Sequence, residues 1–105
     1  MQFGLNEEVI RRVVEVFSSY EEIEAAVLYG SRAKGNFKPG SDIDLALKGP
    51  RLNLKLLNKI SIDLDDLLLP YTFDLSLYHQ ISNPDLIEHI KRVEKYFYKK
   101  DLPGI

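Results

Sequence analysis

The sequence has no cysteine, no tryptophan and a single methionine. Without cysteine the chain can form neither disulfides nor thiolate metal sites. The N-terminus has no basic segment followed by an apolar run, so we expect no signal peptide. No apolar run approaches the roughly 20 residues of a membrane-spanning helix. These absences favour a cytoplasmic protein that does not act in a membrane.

The chain also lacks an excess of positive charge. Its 14 lysines and arginines are outnumbered by 16 acidic residues, for a net charge of −2. Domains that bind nucleic acid are usually basic, so general nucleic-acid binding is disfavoured. With 105 residues, 45% of them hydrophobic, the chain suits one domain with one modest core, which we assign to residues 1–105.

Helix and strand patterns alternate along the chain. Apolar residues recur at helical spacing in the helices, and apolar runs or a period of two mark the strands. The predicted order is a helix capped by Asn6 and running to Phe17, a strand at 25–29, a turn or short helix at 31–35, a strand at 42–48, a helix at 53–69, a strand at 71–78, and a helix that starts after Asn83-Pro84 and continues to Phe97. This order predicts an α/β fold, a small mixed three-stranded sheet with its helices on one face.

Acidic side chains mark the other face of two predicted strands. Asp42 and Asp44 are two residues apart, so they share one strand face at about 7 Å along the strand. Asp74 has the equivalent position on the third strand and would join them if the two strands pair. Mg²⁺ is commonly held by one or two carboxylates together with substrate phosphates. The alternative, solvated aspartates at a strand edge, is less favoured because strands are depleted in aspartate.

A Gly-Ser pair follows the first predicted strand. Gly30 allows close approach of backbone and phosphate and tolerates positive φ. Ser31 offers a hydroxyl and a backbone N–H. Alone, Gly-Ser indicates only a turn. Here ten residues separate Ser31 from the Asp-x-Asp pair, and this combination favours a phosphate-binding turn that faces a metal site.

Basic residues follow this turn. Arg32 and Lys34 are candidates to contact triphosphate oxygens. They could equally be solvated loop charges, or Arg32 could brace an acidic residue. His79 and His89 lack metal-ligand spacing, so we expect them on a loop and on a helix surface.

These residues resemble a known signature. The segments Leu-Tyr-Gly-Ser-Arg-Ala-Lys-Gly at 28–35 and Ser-Asp-Ile-Asp-Leu-Ala at 41–46 are similar to the motif of the DNA polymerase beta-like nucleotidyltransferase superfamily. The short length resembles its minimal nucleotidyltransferases, and Phe-Asp-Leu at 73–75 resembles the strand of the third carboxylate.

The resemblance implies a function. Asp42, Asp44 and Asp74 would bind two Mg²⁺ ions and act in catalysis, while Gly30 and Ser31 would hold ATP. Asp74 would also help to deprotonate an acceptor hydroxyl. Minimal nucleotidyltransferases are commonly paired with a HEPN-domain toxin, so the resemblance implies an antitoxin that transfers AMP to a hydroxyl of such a partner.

Two other functions remain open from the sequence. The chain could be a binding module that neutralises its partner by contact while the nucleotide site is idle. It could also modify small molecules, as the aminoglycoside nucleotidyltransferases do. The full set of motif residues argues against an idle site, and the small size argues against a drug-sized acceptor.

Overall fold

The fold is described by a computed structural model that covers residues 2–100, so Met1 and residues 101–105 of the predicted domain lie outside the described part. Helices and strands alternate, with a short turn of 3-10 helix after β3. The elements are α1 (Glu7–Ser18), β1 (Ala25–Tyr29), α2 (Gly30–Lys34), β2 (Ile43–Lys48), α3 (Leu54–Asp65), β3 (Phe73–Leu77), the 3-10 turn (Tyr78–Gln80), α4 (Pro84–Val93) and β4 (Lys95–Lys99).

One mixed sheet organises the molecule, with strand order β3-β2-β1-β4. The β1 strand is antiparallel to both β2 and β4, whereas β2 and β3 are parallel. The parallel pair requires a crossover connection, and α3 supplies it. This pairing confirms the predicted mixed sheet, and it meets the condition that the second and third strands pair.

Asparagine side chains start the three longer helices. Asn6 accepts a hydrogen bond from the Val9 N–H, and Asn53 accepts one from the Leu56 N–H, both at 2.9 Å. Asn83 accepts from the Asp85 and Leu86 N–H groups, and Pro84 follows at the first helical position. Each cap satisfies an N–H group that has no partner within its helix, and the sequence predicted all three starts.

The sheet has a different packing partner on each face. Alternate residues of β1 and β2, such as Leu28 and Leu45, pack with α1 and α3 in the main core. The intervening residues Val27, Tyr29 and Ala46 form a second cluster with Ile90 of α4. The carboxylate face is therefore partly covered by a helix, and the prediction that all helices lie on one face was wrong for α4.

The end of the chain gives the second correction, because the sheet has four strands and not three. The predicted last helix stops at Val93, and Phe97 lies on β4 rather than on a helix. Phe97 is 7% exposed and packs against the ring of Phe17 in the main core. Helix α3 is also shorter than predicted, ending at Asp65, and Asp42 precedes β2 instead of opening it.

None of the helices within residues 2–100 is both long enough and apolar enough to cross a membrane.

Candidate active site

The site begins where β1 ends and α2 starts. Tyr29 is the last residue of β1, and Gly30 opens α2 with φ of +74°. L-residues other than glycine adopt this conformation only with strain. A side-chain carbon at Gly30 would also overlap with Asp44 Oδ2. The backbone conformation therefore favours glycine at this position, and any side chain here would displace the Asp44 carboxylate.

Three strands bring the motif residues into one row on the carboxylate face. Tyr29 of β1 is paired with Asp44 of β2, and Asp44 is paired with Asp74 of β3. Residues that are directly paired lie about 5 Å apart between neighbouring strands. The sequence predicted that Asp44 and Asp74 would meet if their strands paired, and the parallel β2–β3 register brings them together.

The electrostatics of Asp44 reflect this clustering. Burial raises the pKa of the Asp44 carboxyl, and the negative charges of Asp74 and Asp42 raise it further. All three influences oppose ionisation, because the carboxylate is partly desolvated and faces like charges. A cation at this position would offset the repulsion.

Asp42 and Asp74 are exposed, whereas Asp44 is half-buried. Among residues 2–100, no group of three or more acidic, histidine or cysteine side chains is already spaced to hold a metal ion. The donors nevertheless suit Mg²⁺, since they are hard carboxylate oxygens whose mutual repulsion raises the pKa of Asp44. Two exposed carboxylates can change rotamer to meet a cation beside Asp44.

Arg32 is a buried side chain that contacts other parts of the chain. Its side chain is 2% exposed, and its guanidinium donates hydrogen bonds to backbone carbonyls. Its carbon Cζ lies 5.0 Å from the ring centroid of Phe37 and 5.4 Å from that of Tyr71. The Arg32 donors are used on carbonyls, so the predicted phosphate contact by Arg32 has no support in this arrangement. The bracing alternative fits, although the braced groups are carbonyls and not an acidic residue.

The other predicted phosphate ligands remain accessible. Ser31 is half-buried in the first turn of α2, next to Gly30. Lys34 is exposed at the end of the same helix, which closes at Gly35 in the left-handed conformation. Both side chains remain predicted contacts for a triphosphate.

Tyr29 and Ser76 lie near the carboxylates although the sequence analysis did not propose them as site residues, and His89, which was expected on a helix surface, lies beside them. Burial raises the pKa of Tyr29, the Ser76 side chain lowers it, and the charges of Asp74 and Asp44 raise it further. His89 of α4 packs edge-on against the Tyr29 ring, with 6.3 Å between centroids. The period of two in β3 predicts Ser76 on the face of Asp74, whereas the uniformly apolar β1 gives no such signal for Tyr29. Nothing in the sequence placed α4 there.

A separate cavity of about 610 Å³ lies at the opposite end of the strands. Lys48 lines it and forms a 3.2 Å ion pair with Glu94, while the ammonium of Lys99 lies over the Tyr96 ring. Ala25 pairs with both Lys48 and Lys99, so this cavity is a full strand length away from the carboxylates.

Comparison with known proteins identifies the family. Residues 11–102 match the family model of polymerase beta nucleotidyltransferases. The chain belongs to this family. The matched range contains the Gly30–Ser31 turn and all three carboxylates, and it extends through β4. No curated protein matches this chain.

Solved structures share the nucleotidyltransferase fold. A chain from a toxin–antitoxin crystal structure with AMP-PNP has a TM-score of 0.68 at 21% identity, covering 91% of this chain and 75% of its own length. A chain from the complex of a tri-AMPylated Shewanella oneidensis HEPN toxin with its MNT antitoxin has a TM-score of 0.68 at 14% identity, covering 91% and 74%. A putative nucleotidyltransferase from Sulfolobus solfataricus has a TM-score of 0.52 at 20% identity, covering 89% and 79%.

Proposed function

We propose that this nucleotidyltransferase uses Mg²⁺ to transfer AMP from ATP to a hydroxyl group of a HEPN-type toxin, and so acts as the antitoxin of a pair. The observation that carries the proposal is the row formed by Asp44 and Asp74 beside the Gly30 turn. The family supports nucleotidyl transfer as the reaction class. The family match leaves the donor and the acceptor open, and we propose ATP as the donor and a toxin hydroxyl as the acceptor.

Asp42, Asp44 and Asp74 are the residues that would hold two Mg²⁺ ions. When bound, the ions would neutralise the charge of the triphosphate and of the departing pyrophosphate. Burial and the like charges of Asp74 and Asp42 raise the pKa of Asp44, and a bound cation would offset these effects. The exposure of Asp42 and Asp74 lets their oxygens adjust around the ions.

The chain's own residues supply binding and proton transfer. The Gly30 backbone and the Ser31 hydroxyl would hold the β- and γ-phosphates of ATP beside the carboxylates. The acceptor oxygen would bond to the α-phosphorus of ATP, and the bond from that phosphorus to the pyrophosphate oxygen would break. Asp74 would accept the proton of the acceptor hydroxyl. Its exposure leaves it within reach of a hydroxyl on another protein.

The proposed partner is supported by the structural neighbours. Two of them are chains from toxin–antitoxin complexes, one with AMP-PNP and one with a tri-AMPylated HEPN toxin. The carboxylate face is only partly covered by α4, so the exposed Asp42 and Asp74 are accessible to a second protein. We place the reaction in the cytoplasm, with one catalytic domain over residues 1–105.

The experiment combines the purified protein with labelled ATP, Mg²⁺ and a candidate HEPN-domain toxin partner. We expect the partner to gain AMP, detected by mass spectrometry, and to lose its toxicity in a growth assay. The double variant Asp42→Asn, Asp44→Asn should still fold and bind the partner, because both side chains point away from the main core. It should lose AMP transfer, because neutral amides are poor ligands for Mg²⁺.

The matched control is Asp65→Asn, Asp66→Asn, which removes two exposed charges at the end of α3. This control should transfer AMP like the wild type. If the Asp42, Asp44 variant rescues growth fully without modifying the partner, the catalytic proposal is wrong. In that case the protein neutralises its partner by contact.

A further inference from the structure

The peptide group that leads into Asp42 is held by a buried side chain from another part of the chain. Arg32 donates from Nη2 to the Ser41 carbonyl at 2.9 Å and from Nε to the same oxygen at 3.2 Å. This carbonyl belongs to the peptide bond that joins Ser41 to Asp42. Because a peptide group is planar, restraining its oxygen also restrains the direction of the Asp42 N–Cα bond.

The same guanidinium is itself held by the N-terminal turn, residues 2–5. Nη1 donates to the Phe3 carbonyl at 2.8 Å. The turn is closed by reciprocal backbone hydrogen bonds between Gln2 and Leu5 at 3.0 and 2.8 Å. Leu5 is fully buried in the main core, and the Phe3 ring stacks on Phe97 with 6.0 Å between centroids. The turn is therefore anchored to the core on two sides.

The turn is also a strained segment. Phe3 and Gly4 have φ of +56° and +74°, so two consecutive residues are left-handed. Phenylalanine rarely adopts this conformation, and strain persists only where the surrounding structure holds it in place. A side-chain carbon at Gly4 would overlap with the Phe37 ring and lie 2.9 Å from Arg32 Nη1. The turn thus packs directly on the guanidinium and on the loop before Asp42.

We propose that the N-terminal turn and Arg32 form a clamp that positions Asp42 for metal binding. Arg32 immediately follows Ser31, so the clamp also links the phosphate-binding turn to the carboxylate loop. Arg32 acts here as a positioning residue, since it is buried and its donors are used on carbonyls. This inference rests on the proposed function only in taking Asp42 as a metal ligand.

The test uses three variants of the clamp. Arg32→Met keeps the volume but leaves the Phe3 and Ser41 carbonyls without their donor, and Arg32→Lys keeps the charge but loses the planar fork. Gly4→Ala keeps the Arg32 side chain but adds a carbon that overlaps with the Phe37 ring and lies 2.9 Å from Arg32 Nη1. Two matched controls carry similar penalties elsewhere. Tyr20→Phe removes a partly buried hydrogen bond to Asp63, and Gly35→Ala puts a side chain into open space at φ of +87°.

The readouts are Mg²⁺ affinity by calorimetry with a non-hydrolysable ATP analogue, hydrogen exchange of the segment 37–44, and thermal unfolding. Residues that orient metal ligands typically change metal affinity by about 10- to 100-fold when they are replaced. We expect a loss in this range for Arg32→Met, a smaller one for Arg32→Lys and Gly4→Ala, and faster exchange of 37–44 in all three. Both controls should keep wild-type Mg²⁺ affinity at a similar cost in stability.

The outcomes separate the two proposals. If the wild type itself binds no Mg²⁺, the proposed function fails, while exchange of 37–44 still tests the clamp. If the wild type binds Mg²⁺ and the clamp variants bind it equally well, the clamp is refuted. Equal losses of affinity in the clamp variants and the controls would also refute it, because they would trace the loss to stability alone. If Arg32→Met fails to fold, Arg32→Lys and Gly4→Ala decide the question.

Discussion

Gly30 and Asp44 are in contact across the β1–β2 pair, so closely that a side-chain carbon on Gly30 would overlap with Asp44 Oδ2. The contact joins the two halves of the motif, the phosphate-binding turn and the carboxylate pair. The contact leaves no room for a side chain at Gly30 unless Asp44 moves. The φ of +74° at Gly30 is a second reason for glycine in the turn. The two motif segments therefore constrain each other directly.

The first prediction concerns this contact. Gly30→Ala should lower the free energy of unfolding by at least about 1–2 kcal/mol, the penalty of a left-handed L-residue. The overlap should also displace Asp44, and a displacement of about 1 Å can reduce the rate of a positioned reaction roughly 100-fold. Urea unfolding and the AMP-transfer rate measure the two effects. Gly40→Ala is the control, because its added carbon would meet nothing within 4 Å, and a Gly30→Ala variant as active as this control would contradict the prediction.

The second prediction concerns pH. The pKa of Asp44 is raised, by burial and then by its acidic neighbours, so the folded state binds this proton more tightly than the unfolded state does. The penalty on folding is present at pH 7, and it disappears as pH falls through the folded pKa towards the ordinary aspartate value. In EDTA, Asp44→Asn should therefore be more stable than the wild type at pH 7, and this advantage should shrink on acidification. Unfolding at several pH values tests this, and an advantage that grows towards low pH would have the wrong sign.

The third prediction tests the fourth strand. Phe97→Ala should cost about 3–5 kcal/mol, as expected for a buried phenylalanine, because Phe97 is 7% exposed and contacts Phe17. Tyr96→Ala should cost only about 1 kcal/mol, from lost contacts with lysine ammonium groups, because Tyr96 is 50% exposed. Denaturant unfolding of both variants decides the matter. If Tyr96→Ala lowered the free energy of unfolding more than Phe97→Ala does, then Tyr96 and not Phe97 would face the main core.

The fourth prediction concerns the accessible phosphate ligands. A hydrogen bond to a charged group contributes about 1.5–3 kcal/mol, so Ser31→Ala should raise the KM for ATP by at least about tenfold. Lys34→Ala should raise it as well, since its exposed ammonium is the remaining predicted basic contact. Neither change should alter thermal stability much, because Lys34 is exposed and Ser31 only half-buried. An unchanged KM for ATP in both variants would mean that neither Ser31 nor Lys34 contacts the triphosphate.

Local signals account for what could be predicted from the sequence. The caps at Asn6, Asn53 and Asn83 act over two or three residues, so the pattern that predicts them is contained in the segment itself. The period of two in the strands likewise put Asp44 and Asp74 on one face before their pairing was known. The family motif then related the Gly30–Ser31 turn to the carboxylates, and the family match agrees with it.

Sequence by itself thus determined the helix starts, most of the strands, the carboxylate face and the family, because each depends on neighbours along the chain. Tertiary structure decided the rest. Phe97 continues the helical spacing of Ile90 and Val93, so the local pattern predicts a helix there. Residues 95–99 instead form a strand because they pair with the free edge of β1. The guanidinium of Arg32 is a group that commonly binds phosphate, and the sequence predicted it as a phosphate ligand. Its role depends on carbonyls at Phe3 and Ser41, brought to it by folding, and a buried guanidinium must donate to whatever acceptors surround it.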